Sequence, residues 1–242
     1  MRVAVAQIAL STEIEANVEK ITRFISRAAR EQIQLLCFPE CSVTGYVRDF
    51  TTVEHDAVLE ALNHIHAHSM RESVSAIVGS PCLVQKARFN SALALLPTGE
   101  RFSYYKINLT APETAYFHPG QEPTTFTVDM LTCGLLICRD QNDAMLAHAY
   151  KALGVDVLFI LAAHYYEPRE AERKLDKNRA LPIARAVENR LFVLKANAVG
   201  SVDGTVSLGG SLIADPFGYV VQEADRHSEA LLSCEVEKER VT

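Results

Sequence analysis

The chain has 242 residues, 48% hydrophobic and 22% charged, with 24 Lys+Arg against 30 Asp+Glu and a formal net charge of -6. These values exclude a disordered chain of low hydrophobicity, a collagen-like repeat and a basic nucleic-acid binder, each of which would shift at least one of them strongly. Six cysteines, about 2.5% of the residues, are too few for a disulfide-stapled scaffold and point to reduced thiols and a cytoplasmic location. A chain of this length buries roughly 70% of its unfolded surface, enough for a core without staples. One domain spanning 1–242 is the simplest division.

The apolar opening, 3–8, reads as a buried strand and not a leader, because Gln7 interrupts it and no small-residue cleavage site follows. Residues 13–31 then place Ile14, Val18, Ile21, Ile25 and Ala28 at helical spacing. A second apolar strand, 34–38, ends at Pro39-Glu40, and 54–72 carries Val58, Leu62 and Ile65 at helical intervals. Three strands are expected over 74–84, 89–96 and 102–106, the first broken at Gly79-Ser80-Pro81 and the last two joined by the turn Pro97-Thr98-Gly99-Glu100. Two more strands fill 124–138, a helix 143–153, a strand 155–161 and a helix 170–188. The stretch 191–236 is mostly strand, with turns at 202–204 and 215–218. The longest apolar run, 157–163, is far short of the roughly 20 residues of a membrane helix, so no membrane association is expected. Helices alternating with strands, followed by hairpins, predict an α/β fold with two mixed sheets packed face to face and helices outside.

Three segments carry chemistry. Phe38-Pro39-Glu40 delivers a carboxylate to the carboxyl end of a buried strand, where open α/β sheets gather ligands; a solvated strand end is the plain alternative. Gly134 opens an apolar strand that ends at Cys138, and a helix beginning there would offer amides to a thiolate or an oxyanion. A buried structural thiol is the competing reading, and the one preferred for Cys82, Cys133 and Cys234. Lys106 lies among aromatic residues at a strand end, a common place for a snorkelling surface lysine.

Taken together and in order, Glu40, Lys106 and Cys138 in these contexts resemble the nitrilase superfamily of carbon-nitrogen hydrolases. The resemblance covers essentially the whole chain. It includes Val3-Ala4-Val5-Ala6-Gln7, Thr44-Gly45-Tyr46 after the first glutamate, Glu113 seven residues beyond the lysine, Gly154-Val155-Asp156-Val157-Leu158, Ala184-Arg185-Ala186-Val187-Glu188-Asn189, Ala196-Asn197 and 210–218. It implies an αββα four-layer sandwich of two mixed β-sheets flanked by helices, pairing into a homodimer. It implies Cys138 as nucleophile, Glu40 as general base and then acid, Lys106 with the backbone N–H of Arg139 as oxyanion stabiliser, and Glu113 in support of the lysine. His164, Tyr165 and Tyr166 would line the pocket by family position, with structural packing of the two tyrosines as the alternative, and neither a metal nor an organic cofactor is required. The expected substrate is a small amide or N-carbamoyl compound, with a nitrile as the alternative within the family and a catalytically silent binding protein as the alternative outside it.

The chain departs from the family at Arg139, where an aromatic residue is common, at Ala144-Met145 in place of Pro-Glu, and at Asn108 in place of histidine. Arg139 would suit a substrate carboxylate or, more simply, pair with Asp140. His64 and His68 share a predicted helix face without an acidic third ligand, Cys37 and Cys41 lack a second pair, and Gly209-Gly210 lacks a nucleotide-loop context. With only residues 237–242 at the end, an exchanged tail or a filament is not expected.

Overall fold

In the computed structural model, residues 1–237 are described; the expectation about an exchanged tail concerns 238–242 and lies outside them. In chain order the first half comprises β1 (Arg2–Ala9), α1 (Ile14–Arg30), β2 (Leu35–Cys37), α2 (His55–Glu72), β3 (Ser75–Val84), β4 (Ala87–Leu95) and β5 (Arg101–Tyr105). The second half comprises β6 (Thr125–Val128), β7 (Leu131–Ile137), α3 (Ala144–Ala152), β8 (Val157–Ala162), β9 (Tyr165–Tyr166), α4 (Pro168–Asn189) and β10 (Phe192–Val199). It closes with β11 (Ser201–Val202), β12 (Thr205–Ser207), β13 (Leu212–Ala214), β14 (Val220–Glu223) and β15 (Ala230–Glu235).

One sheet runs β5-β4-β3-β2-β1 with β15 antiparallel on the far side of β1, and the other runs β6-β7-β8-β10 with β13 and β14 beyond. Both mix parallel and antiparallel neighbours: β1, β2 and β3 are parallel, as are β7, β8 and β10, while the hairpins β3-β4-β5 and β6-β7 are antiparallel. A short parallel bridge, Ile8 to Ala198 and Ala9 to Val199, joins them into one continuous strand path.

The layering follows from side-chain alternation. Val3 and Val5 of β1 face Leu135, Ile137, Phe159 and Leu161 of the other sheet in a shared core, whereas Ala4, Ala6 and Ile8 turn outward onto Ile21, Ile25, Leu62 and Ile65 of α1 and α2. Leu136, Leu158 and Ile160 likewise face outward, onto Leu146, Ala147, Tyr150 and Ala186 of α3 and α4. Helices, sheet, sheet, helices: the strands are apolar on both faces because both faces are covered. This is the αββα sandwich expected from the sequence. Among the described residues, no helix is long and apolar enough to cross a membrane.

The expected break at Gly79-Ser80-Pro81 is absent, and β3 runs through it. Pro81 is tolerated because β2 pairs with β3 only as far as Ile77, so the proline removes no donor from that side. Gly79 has a separate reason to be glycine: a Cβ there would lie 2.5 Å from the Cys41 nitrogen and 2.6 Å from the Pro39 carbonyl. The strand thus passes directly beneath the turn that carries Glu40.

Candidate active site

Glu40 follows β2, Lys106 follows β5, Cys138 follows β7 and His164 follows β8, so strand ends from both sheets converge on one point. Lys106 Nζ donates to Glu40 Oε1 and to Glu113 Oε1, each at 2.7 Å, with all three side chains almost fully buried. Glu40 Oε2 accepts from the backbone N–H of Ala163 at 3.1 Å, which ties the carboxylate of one sheet to the other. Glu113 Oε2 accepts from the N–H of Thr110 at 2.7 Å, and Tyr46 Oη donates to Glu113 Oε1 at 3.4 Å.

The electrostatics assign states to these groups. Burial opposes the charge on Lys106, but Glu40, Cys138 and Glu113 hold its pKa well above the usual lysine value. Burial would raise Glu113, yet the Lys106 charge and hydrogen bond and the Thr110 amide bring it below the ordinary carboxylate range. Burial dominates at Glu40 and lifts it, against the pull of Lys106. Burial also pushes the Cys138 thiol well above its usual value, reinforced by Glu40 and Glu113 and opposed by Lys106. The arrangement is therefore a neutral thiol beside a carboxylate whose affinity for a proton is raised, and not a preformed thiolate.

This corrects the expected helix terminus at Cys138. The chain enters a five-residue 3-10 turn, Cys138–Asn142, and α3 starts only at Ala144, its N-terminus capped by Asp143. Cys138 itself has φ +48, a left-handed conformation that a non-glycine residue adopts only when its surroundings enforce it. Asp140 is what enforces it. Its carboxylate, fully buried, accepts from the N–H of Ile137 at 3.0 Å, the N–H of Asn108 at 2.7 Å and Tyr104 Oη at 2.8 Å. Asp140 thus ties the Cys138 turn to the Lys106 segment through Asn108, and the expected Arg139–Asp140 pair is absent among the described residues. Arg185 braces the same turn, donating from Nε to the Gln141 carbonyl at 2.9 Å.

Cys138 opens onto a cavity of about 200 Å³, also lined by Arg139, Gln141, His164, Tyr166, Lys174 and Lys177. Tyr165 instead lines an adjoining aromatic cavity of about 340 Å³ with Tyr46, Phe50, Tyr116 and Glu113. The reason is the extended pair β9: successive residues point to opposite sides, so of the two tyrosines it is Tyr166 that shares the Cys138 cavity. Of the paired helix histidines, His64 is exposed, while His68 and the intervening His66 are held by neighbouring side chains. Arg101 Nε donates to His66 Nδ1 while His66 Nε2 meets the Leu96 carbonyl, each at 2.8 Å, and His68 contacts Ser26 and Arg71. All six cysteines are unpaired thiols; Cys37, Cys41, Cys133 and Cys234 are buried, whereas Cys82, expected to be buried, is only partly so.

Asn90 had no signal in the sequence beyond its place in a strand. Buried in β4, it donates from Nδ2 to Glu40 Oε1 at 2.8 Å and to Glu113 Oε1 at 3.0 Å, and its carbonyl receives the Lys106 N–H at 2.9 Å. It is a positioning residue. Because its hydrogen bond stabilises ionised Glu40, Asn90→Leu is expected to raise the Glu40 pKa further and move the acid limb of the kcat/KM profile to higher pH, with kcat down about tenfold. A pH-rate profile checks this; an unmoved acid limb would assign Asn90 to packing alone.

The family model for carbon-nitrogen hydrolases matches residues 2–242. The chain is 32% identical over 200 residues to an (R)-stereoselective amidase of a Pseudomonas species, covering 79% of this chain and 69% of that one. It is 27% identical over 226 residues to the 2-oxoglutaramate amidase of Bacillus subtilis, covering 91% and 84%. Among solved structures it is similar, with a TM-score of 0.87 and 25% identity over 98% of this chain and 93% of the other, to a glutamate-to-glutamine variant of the amidase from Nesterenkonia sp. AN1 in which acrylamide has added to the active-site cysteine.

Proposed function

Since the chain belongs to the carbon-nitrogen hydrolase family, we propose that it hydrolyses a small amide or N-carbamoyl compound through a thioester on Cys138. The observation that carries this reading is the buried cluster in which one lysine meets two carboxylates at 2.7 Å while the Cys138 thiol feels all three charges. The amidases among its relatives and its solved neighbours support it; a nitrile-cleaving role has less support, although a relative named as a nitrilase, from Pyrococcus abyssi, is also 27% identical.

In the proposed sequence Glu40 takes the Sγ proton as sulfur bonds to the amide carbon, and the carbonyl oxygen becomes an oxyanion facing Lys106 and the N–H of Arg139. The tetrahedral species collapses, the C–N bond breaks, and Glu40 returns the proton to the departing ammonia or amine. Glu40 then takes a proton from water as its oxygen attacks the thioester; a second collapse breaks the C–S bond, and the sulfur recovers that proton as the acid leaves. Glu113 stays ionised throughout, holding Lys106 in place. Purified protein is expected to release ammonia from a panel of ω-amides and N-carbamoyl compounds but not from the matching nitriles. Release from the nitriles alone would assign the alternative chemistry, and no release from any of them would overturn the proposal.

The finer expectations belong to the same reading. A homodimer is supported by an exposed apolar face where Phe217 and Tyr219, on the turn between β13 and β14, sit beside Val187 of α4; Tyr219 is 74% exposed. A cytoplasmic location is supported by six unpaired thiols, and the absence of a nucleic-acid partner by the acidic charge balance.

A further inference from the structure

The cavity at Cys138 differs in charge from the rest of the molecule. The chain carries a net charge of -6, yet the charged residues that line this cavity are Arg139, Lys174 and Lys177. Lys174 is shared, being 3.1 Å from Glu170 and lying 5.5 Å over the Tyr166 ring. Arg139 and Lys177 are exposed and make no ion pair among the described residues. Their positive charge is therefore not cancelled locally: the acidic residues nearest Arg139 in sequence are otherwise engaged, Asp140 turned inward to the Cys138 turn and Asp143 capping α3.

The floor of the cavity has the same sign. Lys195 is buried beneath it with its Nζ on the Asn178 carbonyl at 2.9 Å. His164, 4% exposed, is held well below the usual histidine value by burial and then by Lys195, Lys106 and Lys177, so it is a neutral ring in a positive field. Its Nδ1 is buried without a hydrogen-bond partner, as is Gln141 Oε1. Glu40 and Glu113 contribute negative charge at the reacting end, offset in part by Lys106. A substrate anion is thus repelled from the thiol and attracted to the rim, which orients an elongated molecule with its amide inward. At about 200 Å³ the cavity lies below the roughly 300–1,000 Å³ of pockets for drug-sized ligands, so the molecule is short.

Resting on the amidase reading above, we infer that the preferred substrate is a short amide bearing a carboxylate at the end remote from the scissile bond, with Arg139 and Lys177 as the groups that select it. Arginine supplies the planar fork that a carboxylate matches, and Lys177 adds a second charge across the opening. Neutral amides of the same length would enter without orientation.

The test compares kcat/KM for the monoamide of a short dicarboxylic acid with that for the unsubstituted amide of equal chain length. The native protein is expected to favour the anionic amide by about tenfold or more, an advantage that shrinks with added salt. In Arg139→Gln the anionic-to-neutral ratio is expected to fall by about tenfold, less in Arg139→Lys, and further in the double variant with Lys177→Gln. A native ratio at or below one, or variants that slow both amides equally, would overturn the inference while leaving the amidase reading intact. Failure to hydrolyse either amide would instead count against the amidase reading itself.

Discussion

Cys138→Ala is expected to reduce amide hydrolysis by about 10⁴-fold or more, the scale seen when a covalent nucleophile is removed, while leaving unfolding behaviour close to that of the parent. The reason is the division of labour around the thiol. The Cys138 thiol hydrogen-bonds Glu40, but the rest of the site is held by other groups: Asp140 fixes its turn from below, and Lys106, Glu40, Glu113 and Asn90 hold one another. Removing the sulfur therefore deletes the bond-forming atom without dismantling the cluster. Intact mass under turnover should reveal an acyl adduct on the parent protein that is absent in the variant. An adduct mapped to Cys82 or Cys234, or retained activity in Cys138→Ala, would sink the thioester route. Burial raises all three thiols, and what separates Cys138 is its surroundings: Glu40, Lys106 and Glu113 act on it, whereas Cys82 and Cys234 feel none of them.

Lys106→Met is expected to cost both stability and activity. The lysine is the single cation between two buried carboxylates, and each shares the Asn90 amide as well. Taking it away leaves Glu40 and Glu113 as like charges in a site closed to water, a loss of roughly 3–5 kcal/mol unless one of them takes up a proton. A protonated Glu40 cannot serve as a base, so the damage to catalysis exceeds the about hundredfold to thousandfold expected from one missing oxyanion donor. Urea unfolding should show the midpoint shift, and the double variant with Glu113→Gln should recover part of the stability but little of the rate. A Lys106→Met protein as stable as the parent would mean that one carboxylate is already neutral and that the cluster is not the ionic triad described here.

How much of this was legible beforehand depends on the range of the interaction. The strands and helices were legible because alternation and helical spacing are local, and the boundaries of α1, α2, α3 and β8 fall within two residues of those expected. The exceptions are instructive. Gly79-Ser80-Pro81 reads as a break in any sequence, but the strand continues because the neighbouring ladder has already ended and the glycine makes room for the Glu40 turn. The residue after Cys138 opens a helix-like stretch in sequence, but Asp140 turns inward and draws the chain into a tight 3-10 turn first.

By itself, then, the sequence determined the layers, the order of the chemical groups, and through the resemblance their expected roles; each depends on side-chain period or on motif context within a few residues. Tertiary structure decided which groups touch. Asn90 reaches Glu40 across 50 residues and Ala163 reaches it across 123, contacts with no local signature because they exist only when two sheets close on each other. The same closure buries the thiol so that it stays protonated, turns Tyr166 and not Tyr165 toward it, and leaves Arg139 exposed at the rim of a cavity whose positive charge runs against that of the whole chain. Burial and long-range contact set these properties, and neither is encoded in any short stretch of residues.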